Sequence, residues 1–369
     1  MHVELSPEVL SWAVEYSQKG IGAFQKKFPK FNQWLDKTAQ PTVGQLEQLA
    51  NFAHVPFGYL LLPYVQEIAV KPIKDFRTRN QAVQERHDYS PELRDTIFAM
   101  RERQDWLRDY KKRQDYQPVP FVGQLQKDIP ELDFVRSMHQ ALKVVDDWRK
   151  DISSKEAAFR YFLQLVEKTG IVVFVNGVVG NNTSRKLSVE EFRGFALVDS
   201  YAPLIFINGA DAPAGRLFTL LHELVHIFLG QDGLDDGNEV FCNRIAARFL
   251  VPQVEFEAQW AAMNNDFDAL ETFFKVSKLV LYRVAFNYGK ISRTEWQKLT
   301  EAYYKEINKR KGKNPGGSYY NAIPYKMGKS FSRYVFESVQ AGTTLYKEAY
   351  HLLGLNGKTY TKAMKLVEV

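Results

Sequence analysis

His222-Glu223-Leu224-Val225-His226 has the residue types and spacing of a metal site with a base beside it. On an α-helix, positions i and i+4 share one face, so both imidazoles reach one ion. Glu223 sits next to them and is placed to take a proton from a water that the ion acidifies. Zinc suits imidazole and carboxylate donors, and one zinc per chain is the expected cofactor. The surrounding helix, from about Ala214 to Gly230, is apolar at Leu217, Phe218, Leu220, Leu221, Leu224, Val225, Ile227, Phe228 and Leu229. Its polar residues Arg216, Thr219, His222, Glu223 and His226 fall on one stripe. A polar stripe on a buried helix needs a partner, because an unpaired buried charge is costly. A metal ion and its water supply one.

A third protein ligand must come from elsewhere. A site of the metzincin kind needs Gly at 229 and His at 232, where this chain has Leu229 and Asp232. A gluzincin-like site takes a glutamate from a following helix, and Glu239 opens such a helix. Asn243, Ala246 and Leu250 follow it at i+4, i+7 and i+11, which suggests an inward face with Asn243 as a partner behind the ligand. Asp232, Asp235, Asp236 and Cys242 are the rivals, Cys242 reading rather as a small packed residue.

The elements that must position these groups follow from periodicity and breakers. Residues 1–65 read as an all-helical unit of short helices: Ser6-Pro7 opens one, and Pro41-Thr42 another that carries Leu46, Leu49 and Ala53. Four or five short helices in this span suggest a helix-turn-helix-like domain. Its segment from Pro29 to Lys37 offers Lys30, Asn32, Gln33 and Lys37 to nucleic acid or a partner, with Phe31, Trp34 and Leu35 as core. Residues 66–120 read as a linker and a helix capped by Ser90-Pro91. Residues 121–260 read as a site-bearing α+β core. It has a helix near Phe134–Asp147, a capping box Ser153–Glu156, and strands near Ile171–Val175, Phe195–Val198 and Leu204–Ile207. Leu204–Ile207 is weighed both as an edge for an extended peptide and as a fully paired strand. Asn181–Lys186 is weighed as a groove lining and as a surface turn, and Glu191 and Arg193 as a cleft rim and as a surface ion pair. Residues 261–369 read as helical, with two helices after Ser318 parted near Gly342.

Composition bounds the rest. With 45% hydrophobic and 25% charged residues, long disorder is not the default. A net charge of +6 permits nucleic acid without arguing for it, as no basic patch dominates. A single cysteine excludes an internal disulfide and fits a reducing compartment. No signal-like start is visible, and no apolar run nears the ~20 residues of a membrane span. The expectation is a cytoplasmic protein without a membrane partner.

His222–His226, followed by Glu239-Val-Phe-Cys-Asn243-Arg-Ile-Ala-Ala-Arg-Phe-Leu-Val-Pro252, resembles the ImmA/IrrE family of metallo-endopeptidases. The segments Val178–Thr183, Glu191–Leu197 and Pro203–Asp211 carry the same likeness. So does the N-terminal pattern of Trp34, Pro41-Thr42, Leu46, Leu49 and Val55–Leu60. The resemblance implies an XRE-type helix-turn-helix domain, then a zincin-like peptidase domain with a small sheet, then a helical C-terminal region. It implies His222, His226 and Glu239 as zinc ligands and Glu223 as general base. It also implies cleavage of a protein partner, a DNA-binding repressor or a toxin, in a stress, mobile-element or toxin–antitoxin system. The N-terminal domain would then contact DNA or the partner. The competing expectation is a DNA- or toxin-binding regulator or antitoxin that keeps the peptidase fold without catalysis.

Overall fold

The computed structural model describes residues 3–63, 89–231, 236–310 and 324–367. They divide into two units, 3–63 with 89–98, and 99–367. Most of the expected linker, like Asp232 and Asp235, lies outside the described residues.

The first unit is all helical. It contains α1 (Pro7–Ser17), α2 (Ile21–Lys27), α3 (Phe31–Leu35), α4 (Val43–Ala53) and a 3-10 turn, Phe57–Leu61. Pro7 opens α1 where its missing N–H costs nothing. Thr42 and Gln45 close a capping box at the start of α4. Leu10, Phe24, Phe31, Trp34, Leu46 and Leu49 form its core.

The second unit is α+β. It takes in α5 (Pro91–Arg113) from residue 99 onward, α6 (Glu131–Leu142) and α7 (Lys155–Lys168). The strands β1 (Val172–Asn176), β2 (Val178–Val179), β3 (Asn182–Lys186), β4 (Gly194–Leu197) and β5 (Leu204–Asn208) follow. Then come α8 (Pro213–Leu229), α9 (Asp236–Leu250), α10 (Gln253–Ala262), α11 (Phe267–Phe274), α12 (Lys278–Asn287) and α13 (Arg293–Arg310). The described C-terminal helices are α14 (Lys329–Gln340), α15 (Tyr346–Leu353) and α16 (Gly357–Val367).

The main sheet has the order β1-β5-β4, with β1 parallel and β4 antiparallel to β5. Its strands are buried on both faces and alternate with the period of two that a pleat imposes. Val173, Val175, Ala196, Ile205 and Ile207 join the core built by α7, α8 and α9. Phe174, Phe195 and Phe206 occupy the other positions. Phe195 stacks on Phe206 at 5.2 Å, and Phe174 meets Phe331 of α14 at 5.4 Å. The sheet is thus the middle of three layers.

Several expectations shift. Leu204–Ile207 is not an edge: β5 pairs on both sides, while β4 pairs with β5 alone among the described residues. Asn181–Lys186 belongs to a β-hairpin rather than a plain turn. The cap of α7 is Ser154, one residue later than the expected box, and its hydroxyl accepts from the Ala157 N–H. The helix expected to reach Asp147 stops at Leu142, where Lys143 turns left-handed. Among the described residues of the tail, α14, α15 and α16 already make three helices where two were expected. Among the described residues, no helix is long and apolar enough to cross a membrane.

Candidate metal centre

The helix α8 starts at Pro213 and ends at Gly230, which adopts φ +67. The incoming segment crosses this end closely. Gly123 N–H donates to Ile227 O at 3.1 Å and Leu125 N–H to Phe228 O at 3.1 Å. These bonds satisfy carbonyls that a helix terminus otherwise leaves open. A Cβ on Gly230 would lie 2.6 Å from Gly123 Cα, so the crossing needs glycine on backbone grounds as well as for its φ. Stacking of Phe121 on Phe228, at 4.6 Å, completes the clamp.

The polar stripe of α8 is buried: Thr219, His222, Glu223 and His226 are each at most 3% exposed. It splits into two rows. Arg216 pairs with Glu156 at 2.7 Å, and Thr219 and Glu223 continue that row towards β4. A Cβ placed on Gly194, the first residue of β4, would meet Thr219 Cγ2 at 2.5 Å, Phe206 O at 2.8 Å and Glu223 Oε1 at 3.4 Å. Glycine is therefore what lets β4 lie against the motif helix at Thr219, one turn before Glu223.

The second row faces α9. His222 Nε2 lies 3.0 Å from Glu239 Oε1, His226 Nε2 lies 3.3 Å from the same oxygen, and the two Nε2 atoms are 3.2 Å apart. A tetrahedral ion bound at about 2.0–2.1 Å spaces its donor atoms about 3.3 Å apart, so this triangle matches one face of such a site. Two imidazole nitrogens and a carboxylate oxygen are also the donor types zinc takes. Among the described residues, these three form the one His/Cys/Asp/Glu group whose donor atoms converge this way.

Cys242 is fully buried and does not join the triangle. Its Sγ lies 3.8 Å from His226 Nδ1, behind the ring. Asn243 is half-buried and, among the described residues, hydrogen-bonds none of the three. It lines a groove next to the centre instead. Asp236 belongs to α9, but its side chain is not among those described. Arg193 pairs with Asp211 at 2.9 Å, both mostly buried. In the first unit, Lys30, Asn32, Gln33 and Lys37 are exposed on and beside α3, with Phe31 and Trp34 buried beneath. Gly194 and the Cys242 contact escape sequence reasoning, since neither a close backbone approach nor a contact between two helices has a local signature.

Residues 166–284 match the IrrE N-terminal-like domain, Peptidase_M78. That stretch runs from the end of α7 into α12 and holds the sheet, the motif helix and Glu239. This part of the second unit is thus similar to a metallopeptidase-family domain. Residues 327–365 match a further family model, a domain of unknown function, DUF8813. No protein with a curated description matches the chain. A solved Mycobacterium tuberculosis transcriptional regulator aligns with 50% of this chain and 51% of its own, at 16% identity and a TM-score of 0.27. The chain spans about half the length of that regulator, and so slight a likeness carries no weight for the fold.

Proposed function

We propose that the chain is a zinc-dependent endopeptidase that cleaves a specific protein partner. The observation that carries this is the convergence of His222, His226 and Glu239 beside a buried Glu223, within the stretch that matches a peptidase family. His222, His226 and Glu239 would hold the ion. When bound, zinc supplies Lewis acidity, which acidifies water and polarises a carbonyl. Glu223 takes the proton of the attacking water on a carboxylate oxygen and returns it to the leaving amine nitrogen.

The partner would be a DNA-binding repressor or a toxin, in a stress, mobile-element or toxin–antitoxin system. The exposed Lys26, Lys27, Lys30 and Lys37 around Asn32 and Gln33 favour a second role for the first unit, as a helix-turn-helix-type contact to DNA phosphates or to the partner.

The test begins with metal content, measured on protein purified without chelator or affinity tag. About one zinc per chain is expected in the wild type and a clear loss in Glu239→Ala. Glu223→Gln should keep the zinc and the fold while losing cleavage, by roughly a thousandfold or more if it is the sole base. Unchanged function in Glu223→Gln would refute the enzymatic reading and leave a regulator that keeps the peptidase fold.

A further inference from the structure

Beside the metal centre, α8, α9, α12 and α13 enclose a groove of about 360 Å³. Both ligand-bearing helices lead into it. Phe218 precedes His222 by four residues and Asn243 follows Glu239 by four, so each wall residue stands about 6 Å along its helix from a ligand. A residue neighbouring a peptide bond held at the ligands has its side chain within that reach, since successive Cα atoms are about 3.8 Å apart.

The lining is apolar with a few polar handles. Val240, the residue after Glu239, lines the groove and is 51% exposed, an apolar surface left open. Ala247 and Trp296 continue it. The Thr300 hydroxyl is buried there without a hydrogen-bond partner among the described residues, a condition that costs stability until something donates or accepts. The cations differ. Arg244 is held by Glu131 at 2.8 Å. Arg283 lies over the Trp296 ring at 5.0 Å and pairs with no carboxylate among the described residues.

We infer that this groove is the specificity subsite of the centre, taking an apolar side chain next to the scissile bond, with an acidic residue following it to meet Arg283. The inference rests on the peptidase reading, and the probes separate the two. Binding of hydroxamates to the zinc-loaded full chain is measured by calorimetry. Acetohydroxamate reports the metal alone. A succinyl hydroxamate bearing an isobutyl group and an aspartyl amide adds the side chain and the acid.

The larger probe should bind at least about tenfold more tightly than acetohydroxamate. Ala247→Phe, which fills the groove, should erase that gain and leave acetohydroxamate binding intact. Because Ala247 is itself largely buried, Val240→Asp serves as a second, exposed variant with the same expectation. Arg283→Gln should remove the preference for the aspartyl over the alanyl amide. Equal affinity of the two hydroxamates, or a gain that survives both groove variants, overturns the subsite. If acetohydroxamate itself fails to bind, the metal reading has failed. The groove is then tested with N-acetyl-leucyl-aspartyl amide and tryptophan fluorescence, with Trp296→Phe as the blank. A response that depends on Trp296 supports the subsite, and none refutes it.

Discussion

At the scale of single residues, the centre depends on two groups that touch it without being ligands. A metal-binding histidine usually gives its outer ring N–H to an acceptor, which fixes the tautomer and the ring plane. For His226 the neighbour at Nδ1 is the thiol of Cys242, at 3.8 Å. Cys242→Ala should therefore weaken zinc binding by about ten- to a hundredfold in a chelator competition, with Cys242→Ser recovering part of the loss. Equal zinc affinity in Cys242→Ala would reduce the cysteine to a packing residue. Gly194 acts on the row of Thr219 and Glu223 instead. Its missing side chain makes room for Thr219 and Glu223, and the Phe206 carbonyl behind it is backbone that cannot swing aside. Gly194→Ala should cost roughly 1–3 kcal/mol in denaturant unfolding, the usual range for overpacking. It should also lower turnover while zinc stays bound, because the clash falls on Thr219, one turn before Glu223, and not on the triangle. A variant that folds, binds zinc and turns over normally would show that β4 does not need this approach.

At the scale of elements, what the sequence reveals depends on whether the information is local. The helix α8 is written in full, with proline at its start, glycine at its end and a polar stripe between. Glu239 could be selected because the small and apolar residues after it define the inward face of α9. β1, β4 and β5 were visible as apolar runs. The place of β5 at the centre of the sheet was not, since a Leu-Ile-Phe-Ile run looks the same at an edge and in the middle. That order is set by the parallel pairing with β1, across a connection no local pattern describes. The third helix of the tail was hidden for a simpler reason. Its start rests on a reciprocal bond between Asn356 and Thr359, whose side chains and backbone exchange partners at 3.0–3.1 Å. The groove was invisible because its walls come from four helices that share no repeat. The sequence puts the polar residues of α8 on one stripe, and only the neighbours β4 and α9 divide it into a row of Thr219 and Glu223 and a row of His222 and His226.

At the scale of the whole molecule, the second unit holds its sheet to the helical layer of α5 and α14 partly through one buried cation. Lys111 on α5 donates to Gly170 O at 3.1 Å and to Tyr201 O at 2.9 Å, the segments that lead into β1 and β5. It is only 3% exposed. Burial lowers its pKa to about 8, with Asp199 opposing the shift. Below that value the lysine is charged in both the folded and the unfolded chain, and the full cost of burying the charge is present. Between about 8 and the ordinary value of 10.5, the unfolded chain binds a proton that the folded chain does not, so stability rises with pH. The rise from this group alone is on the order of 3 kcal/mol at most. The buried tyrosines pull the other way. Desolvation raises Tyr334 and Tyr360 to about 12, so above pH 10 the unfolded chain releases protons that the folded chain keeps, and stability falls. The alkaline profile of wild type should therefore climb from about pH 8 and turn over near pH 10. Lys111→Met removes the first effect and leaves the second. Urea unfolding of the two proteins at half-unit steps from pH 7 to 10.5 isolates the lysine. The stability difference should move towards wild type by about one to three kcal/mol across that range, and a flat difference would mean that the ammonium group is solvated rather than buried between helix and sheet.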